Sequence, residues 1–288
     1  MRYAIITNPV SGKMTVDQKR TVLANASKIL DAKIYGLDII ATDDLGLCAR
    51  ELATYYDVLV TAGGDGTFSD IINSIDTAHT TIAYLPLGTG NAMRYALRYK
   101  GSLTDIAMRI RDGKIYEYDL INCDEKKRAF MVSIGIEGAL IRLRNQYLAQ
   151  GATGFKTYLR AAFNTYFREY KRVIATITVD NTTFNVKNLL TLMVVKQPYY
   201  GFGMNVVPKA RFDDRKLHIL CINSGLFKCA IGTITAFTIG NRIGKYCAGQ
   251  KISVQLEHPL ILQIDGNNAW NADTFSFTVM PNALKIKH

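Results

Sequence analysis

The sequence predicts an α/β N-terminal domain with a parallel sheet and glycine-rich loops, followed by a β-sandwich second domain. Three observations carry this expectation. Up to Gly113, short apolar strand-like runs alternate with helical patterns. From Ile115 onward, β-branched and aromatic runs separated by turn dipeptides take over. Three of the early strand-like runs also end in glycine-rich loops that open helical segments. Strand–helix alternation implies parallel pairing with helices on the sheet faces, and closely spaced strands with turn signals imply an antiparallel sandwich.

In chain order, strands are expected at 3–7, 33–40, 58–62 and 81–85, with helices at 16–30, 45–55, 67–75 and 91–97. The later runs are 117–122, 129–133, 174–179, 183–186, 189–195, 217–222, 252–256, 260–264 and 275–280, with one helical insert at 154–171. Asp180-Asn181 and Asp265-Gly266-Asn267 read as turns between strands. The expected domains are 1–116, with a C-terminal return at 275–288, and 117–274.

Lys and Arg outnumber Asp and Glu by 35 to 24, a formal charge of +11 that suits polyanionic partners such as nucleotide phosphates or an anionic membrane surface. The five cysteines form no Cys-x-x-Cys, and the four histidines have no zinc-like spacing, which fits reduced thiols in a cytoplasmic protein. The apolar runs are too short to span a bilayer, so any membrane contact is expected to be peripheral, at the inner face. No nucleic-acid-binding signature is present.

The three loops carry the chemistry. They are Asn8-Pro9-Val10-Ser11-Gly12-Lys13, Gly63-Gly64-Asp65-Gly66-Thr67 and Pro86-Leu87-Gly88-Thr89-Gly90-Asn91. Ligands of open parallel sheets sit beyond the carboxyl ends of the strands, so the loops should converge on one crevice. Glycines let backbone N–H groups approach an anion, helix N-termini add favourable partial charge, and Ser11, Thr67 and Thr89 supply hydroxyls. Neither a Walker A loop nor a Gly-x-Gly-x-x-Gly fingerprint is present. One such loop would be an ordinary βα turn; three at equivalent positions suit a polyphosphate.

Together, Asn-Pro-x-Ser-Gly, Gly-Gly-Asp-Gly-Thr and Pro-x-Gly-Thr-x-Asn resemble the diacylglycerol kinase catalytic domain family, which includes bacterial soluble lipid kinases and sphingosine and ceramide kinases. The resemblance implies an NAD kinase/diacylglycerol kinase-like fold and ATP-dependent phosphorylation of a lipid hydroxyl with Mg²⁺. Nucleotide contacts are implied for Asn8, Pro9, Val10, Ser11, Gly12, Thr42, Gly63, Gly64, Asp65, Gly66, Thr67, Asp70, Gly88, Thr89 and Asn91. Asp65 and Asp265 are the implied catalytic carboxylates, Asp65 organising the phosphates and Asp265 receiving or orienting the acceptor proton. The segment Pro208-Lys209-Ala210-Arg211-Phe212-Asp213-Asp214-Arg215-Lys216-Leu217 resembles one that holds a structural magnesium in the family. That implies ligation by the Asp214 side chain and the carbonyls of Arg211 and Lys216. An acidic turn between strands accounts for the segment equally well.

The chain departs from the family at several positions: Ser69-Asp70 follows Phe68 where the family often has Asn-Glu, and Ala92-Met93-Arg94 follows Asn91 where many bacterial members have Asp-Phe-Ala. Arg215 stands where a glycine is usual, and Asn267 replaces the glutamate of Asp-Gly-Glu. These motivate an alternative, a catalytically impaired nucleotide- or lipid-binding protein on the same fold. NAD kinase, which shares Gly-Gly-Asp-Gly, is a further alternative. Finally, Phe155, Lys156, Tyr158, Arg160, Phe163, Tyr166, Phe167, Arg168, Tyr170, Lys171 and Arg172 form a basic and aromatic stretch. Its rings suit packing on the sandwich, and its cations suit an anionic membrane.

Overall fold

Helix α1 shows how local chemistry sets the elements. Thr15 caps it through a reciprocal box with Gln18, at 3.3 Å and 2.9 Å, and Asp31 ends it in a left-handed conformation (φ 47°). The computed structural model describes residues 1–12, 14–38, 42–152 and 155–288; within it, the side chains of Thr42, Asp43, Leu148, Phe155, Tyr158 and Glu169 lie outside the description.

The first elements are β1 (Tyr3–Thr7), α1 (Val16–Leu30), β2 (Lys33–Tyr35), α2 (Thr42–Tyr55), β3 (Val58–Gly63), α3 (Asp65–Ser74), β4 (Thr81–Pro86), α4 (Ala92–Ala96) and α5 (Leu103–Asp112). Then come β5 (Ile115–Cys123), β6 (Lys127–Ala129), β7 (Met131–Gly135), α6 (Ile136–Ala149), α7 (Phe155–Asn164), β8 (Val173–Val179), β9 (Thr182–Leu189) and β10 (Thr191–Val195). The chain continues through β11 (Tyr199–Tyr200), β12 (Met204–Asn205), β13 (Leu217–Ile222), α8 (Leu226–Thr238), β14 (Lys245–Gly249), β15 (Lys251–Ile264) and β16 (Asn267–Lys287).

Two compact units result. The first comprises 1–120, 199–205 and 280–288; the second comprises 121–198 and 206–279. In the first, β1 pairs in parallel with β2 and β3, β3 pairs with β4, and β4 pairs with the end of β16 through Lys285↔Thr81 and Ile286↔Ile82. Strands β1, β3 and β4 are buried at every position, as expected for a parallel sheet covered on both faces. The Asn282 N–H donates to buried Asp119 (3.0 Å), fixing the returning strand.

The second unit is antiparallel. Strand β15 pairs with β8 over Ile252–Leu256 and with β7 over Leu262–Ile264, with a register break between the two stretches. One strand thus serves both layers around a core of Ile177, Val194, Ile219, Val254, Phe275 and Phe277. The sequence names a single helical insert in this region. The structure instead has α6, α7 (continued by a π-helical turn at Thr165–Glu169) and α8. Helix α8 was missed because its Ile/Thr-rich run carries β propensity that its tertiary setting overrides.

Candidate nucleotide site

Strands β1, β3 and β4 are neighbours in the first unit, so the three loops leave the same edge of one sheet. The loop after β1 folds on itself. Asn8 Oδ1 accepts from the Val10 N–H (3.0 Å), and the Ser11 hydroxyl donates to the Asn8 carbonyl (3.0 Å). Beneath it lies the ammonium of Lys19, whose residue is 1% exposed. It donates to the carbonyls of Asn8 (2.6 Å), Pro9 (2.8 Å) and Ser11 (2.7 Å). A charge sequestered by three carbonyls fixes the direction of those peptide units. Burial pushes the Lys19 pKa down. Gly12 completes the loop at φ 73°, and Lys13 lies outside the described residues.

The second and third loops are joined backbone to backbone. The N–H groups of Leu87 and Gly88 donate to the Gly63 carbonyl (2.9 and 3.2 Å). A Cβ on Gly88 would lie 2.4 Å from the Gly64 Cα, a contact that only glycine permits. Asp65 bridges the same loops from its side chain. Its Oδ2 accepts from the Ala92 N–H (2.8 Å) and its Oδ1 from the Met93 N–H (3.0 Å), so the carboxylate caps α4. Burial raises its pKa, and the two amides oppose that shift. Asn91 (φ 46°) takes a bond from the Tyr84 hydroxyl on Oδ1 (3.0 Å) and gives one from Nδ2 to the Gly88 carbonyl (2.6 Å).

Of the other expected nucleotide contacts, Val10 and Thr89 are exposed and Pro9, Ser11 and Gly66 are half-buried. Thr67 is buried and packs beneath Gly63, and Asp70 lies further along α3. Thr42 opens α2, its side chain outside the described residues.

Two contributors escape sequence reading. Lys19 sits in a charged stretch of α1 with nothing local to mark it. Residues 199–205 are remote in sequence, yet the Phe202 N–H donates to the Gly90 carbonyl (2.9 Å), and Gly203 lies against the Tyr95 ring. The Tyr-Tyr-Gly-Phe-Gly composition of 199–203 is the one clue to close backbone packing.

In the second unit, Asp265 and Gly266 form the turn between β15 and β16, both with positive φ (47° and 94°), the geometry of a tight hairpin. Asp265 is 3% exposed, and its Oδ1 accepts from the N–H groups of Phe130 (3.2 Å) and Met131 (2.9 Å). Asn267 is exposed at the start of β16.

The segment around Asp214 has an occupant of its own. The ammonium of Lys196, fully buried, donates to Asp214 Oδ1 (2.9 Å) and to the Lys216 carbonyl (2.5 Å). The second Asp214 oxygen lies 2.9 Å from His218 Nε2, the ring nitrogen that partners it. Burial alone would raise the Asp214 pKa; Lys196, His218 and the Lys216 amide hold it below the ordinary value. Arg215 adopts φ 58°, the conformation a glycine would supply. Two of the three expected metal-ligand oxygens therefore already face a cation from the chain itself, and the residues present do not fit a metal ion. Among the described residues, no cluster of three or more His, Cys, Asp or Glu side chains is arranged to hold one.

Comparison with known proteins covers both units. Residues 2–123 match the family Diacylglycerol kinase catalytic domain, and residues 130–288 match the family YegS C-terminal NAD kinase beta sandwich-like domain. A curated diacylglycerol kinase of Staphylococcus epidermidis is 27% identical over 221 residues, covering 74% of this chain and 67% of that protein. A crystal structure of a diacylglycerol kinase from Bacillus anthracis superposes with a TM-score of 0.71 at 16% identity, covering 100% of this chain and 96% of that one. An NAD kinase from Archaeoglobus fulgidus in complex with ATP gives 0.54 at 12% identity, covering 100% and 94%. These structures share the fold.

Proposed function

Because the chain belongs to the diacylglycerol kinase-like family, we propose that it is a kinase that transfers the γ-phosphoryl group of ATP to a lipid hydroxyl of diacylglycerol or sphingoid type. The observation that carries this reading is the fixing of three strand-end loops at one edge of the sheet, the first braced on α1 by Lys19, the second and third joined by Asp65 and the Gly64–Gly88 contact. Phosphoryl transfer asks little covalent chemistry of a protein and much positioning of phosphate oxygens. Backbone amides held rigidly at the ends of parallel strands supply that positioning at no reorganisation cost.

In this reading Mg²⁺ arrives with ATP as part of the substrate. The acceptor oxygen forms its bond to the γ-phosphorus as the bond to the β–γ bridging oxygen breaks, and ADP leaves. Asp265 takes the hydroxyl proton, its carboxylate oriented by the Phe130 and Met131 amides. Asp65 acts on the phosphates through the loops it joins. Asn267, at the family's glutamate position, favours a second reading, a nucleotide-binding protein without turnover.

The test is label transfer from γ-labelled ATP with Mg²⁺ into detergent-dispersed diacylglycerol, monoacylglycerol, sphingosine, ceramide or phosphatidylglycerol. Transfer to one lipid is expected, falling by about 10²–10⁴-fold in Asp265→Asn. Asparagine keeps an oxygen for the Phe130 and Met131 amides, so the variant should retain the wild-type melting temperature. ATP binding without transfer to any lipid would select the second reading.

A further inference from the structure

Helix α8 is oriented against the usual rule for a surface helix. Its buried residues are the small ones, Gly232 and Ala236. Gly232 is needed there, because a Cβ would come within 2.5 Å of the Ile243 side chain. The large apolar residues face outward: Phe227 is 80% exposed, Ile234 66% and Ile239 65%, with Leu226 and Ile231 also exposed. Isolated exposed apolar residues need no explanation, but six along one short helix and its end, Phe237 included, form a surface that water disfavours.

The charge along this stretch of the chain has one sign. Residues 215–256 contain no Asp or Glu, and their cations include Lys228 on α8 itself and Arg242 and Lys245 just after it. The loop leading into α8 is anchored by Arg172, which donates to the carbonyls of Asn223 (2.9 Å) and Ser224 (2.7 Å). Arg172 follows the α7 segment, which itself exposes Leu159, Phe163 and Phe167. Outward rings and aliphatic chains in a stretch of chain whose charges are all basic are the pattern of a helix that lies in the interface of an anionic bilayer. At 13 residues, α8 is about 20 Å long and cannot span one.

We propose that α8 is the membrane-docking element of this protein and that it inserts Phe227 and Ile234 into the headgroup–acyl boundary of an anionic phospholipid bilayer. This rests on the reading of the acceptor as a lipid, because docking would bring the kinase to a substrate that resides in the membrane. A second copy of the chain is the competing occupant of the same surface.

The experiment is vesicle co-sedimentation of the full chain with phosphatidylcholine alone or with added phosphatidylglycerol, comparing wild type with the double variant Phe227→Asp/Ile234→Asp. Both side chains are exposed, so the variant should keep its melting temperature. Wild type is expected to bind the anionic vesicles, more weakly at high salt, and the variant's partitioning should fall by about tenfold or more. Equal partitioning of the two proteins would overturn the proposal. So would a wild-type dimer that the substitutions dissociate without changing vesicle binding. Transfer to detergent-dispersed lipid separates this result from the activity. If wild type binds vesicles but phosphorylates no lipid, the kinase reading fails and the docking result stands. If the variant keeps micellar activity and loses vesicle activity, both stand.

Discussion

Replacing Lys19 by methionine should uncouple the first loop from the helix that supports it. Methionine keeps most of the aliphatic stem, so the substitution removes chiefly the ammonium. Three carbonyls then lose a charged donor: Asn8, Pro9 and Ser11. The bond to Asn8 is buried, and although the Ser11 hydroxyl still reaches that carbonyl, losing its charged donor costs about 1–3 kcal/mol. The other two are partly buried, so water can replace part of each at a net loss of about 0.5–1 kcal/mol. The sum is about 2–5 kcal/mol, localised in one loop. If the freed loop must be re-ordered by the nucleotide, even about 2 kcal/mol raises the Kd for MgATP roughly 30-fold. Calorimetric titration with a non-hydrolysable ATP analogue measures this directly, with the melting temperature recorded alongside. A Kd within about twofold of wild type, together with a lowered melting temperature, would refute the reasoning, since Lys19 would then brace the fold without organising the site.

Gly88→Ala should abolish the rise in melting temperature that MgATP gives and should destabilise by about 1–3 kcal/mol, because its Cβ meets the Gly64 backbone; a normal nucleotide-induced shift would contradict this. Lys196→Met should cost roughly 2–4 kcal/mol by stranding Asp214, while the wild-type melting temperature without nucleotide should be indifferent to Mg²⁺ and EDTA. A magnesium-dependent melting temperature in the nucleotide-free protein would show that the ammonium has not replaced a metal. Burial pushes Glu137 up to about 7, and one of its oxygens has no hydrogen-bond partner. The folded protein therefore binds more protons than the unfolded chain between the ordinary glutamate value of 4.5 and about 7, and stability falls as pH rises through that window. The loss amounts to about 3 kcal/mol. Glu137→Gln should flatten that slope and be the more stable protein above about pH 7 in urea titrations; parallel pH profiles for the two proteins would sink the assignment.

What was legible in the sequence follows from how local its cause is. The three loops could be read because glycine, asparagine and proline punctuate strand ends for reasons internal to each turn. The strands feeding them were legible because fully buried parallel strands are continuous apolar runs, as Val58–Gly63 is. Lys19, Lys196 and Phe202 were not, because their importance lies in partners 8 to 20 residues away for the two lysines and far more for Phe202. A lysine in a sequence looks solvated until the fold surrounds it with carbonyls. Arg215 reads as a defect at a glycine position, yet the backbone there adopts φ 58° with the arginine in place. Burial of the Asp65 carboxylate on α4 could not be anticipated either, since the motif does not say which amides will meet it.

The end of β16 has a consequence for how the protein is made. The parallel sheet is completed only when Lys285 and Ile286 pair with Thr81 and Ile82, and Leu284 and Ile286 are fully buried. A nascent chain carrying residues 1–120 alone would present β4 as a bare, unpaired sheet edge of apolar residues until some 160 more residues had left the ribosome. The N-terminal unit should therefore be a poor autonomous fragment, prone to self-association when expressed by itself. During synthesis, the outer edge of β4 waits unpaired while the intervening unit forms, which makes this edge the place where chaperones would be needed most.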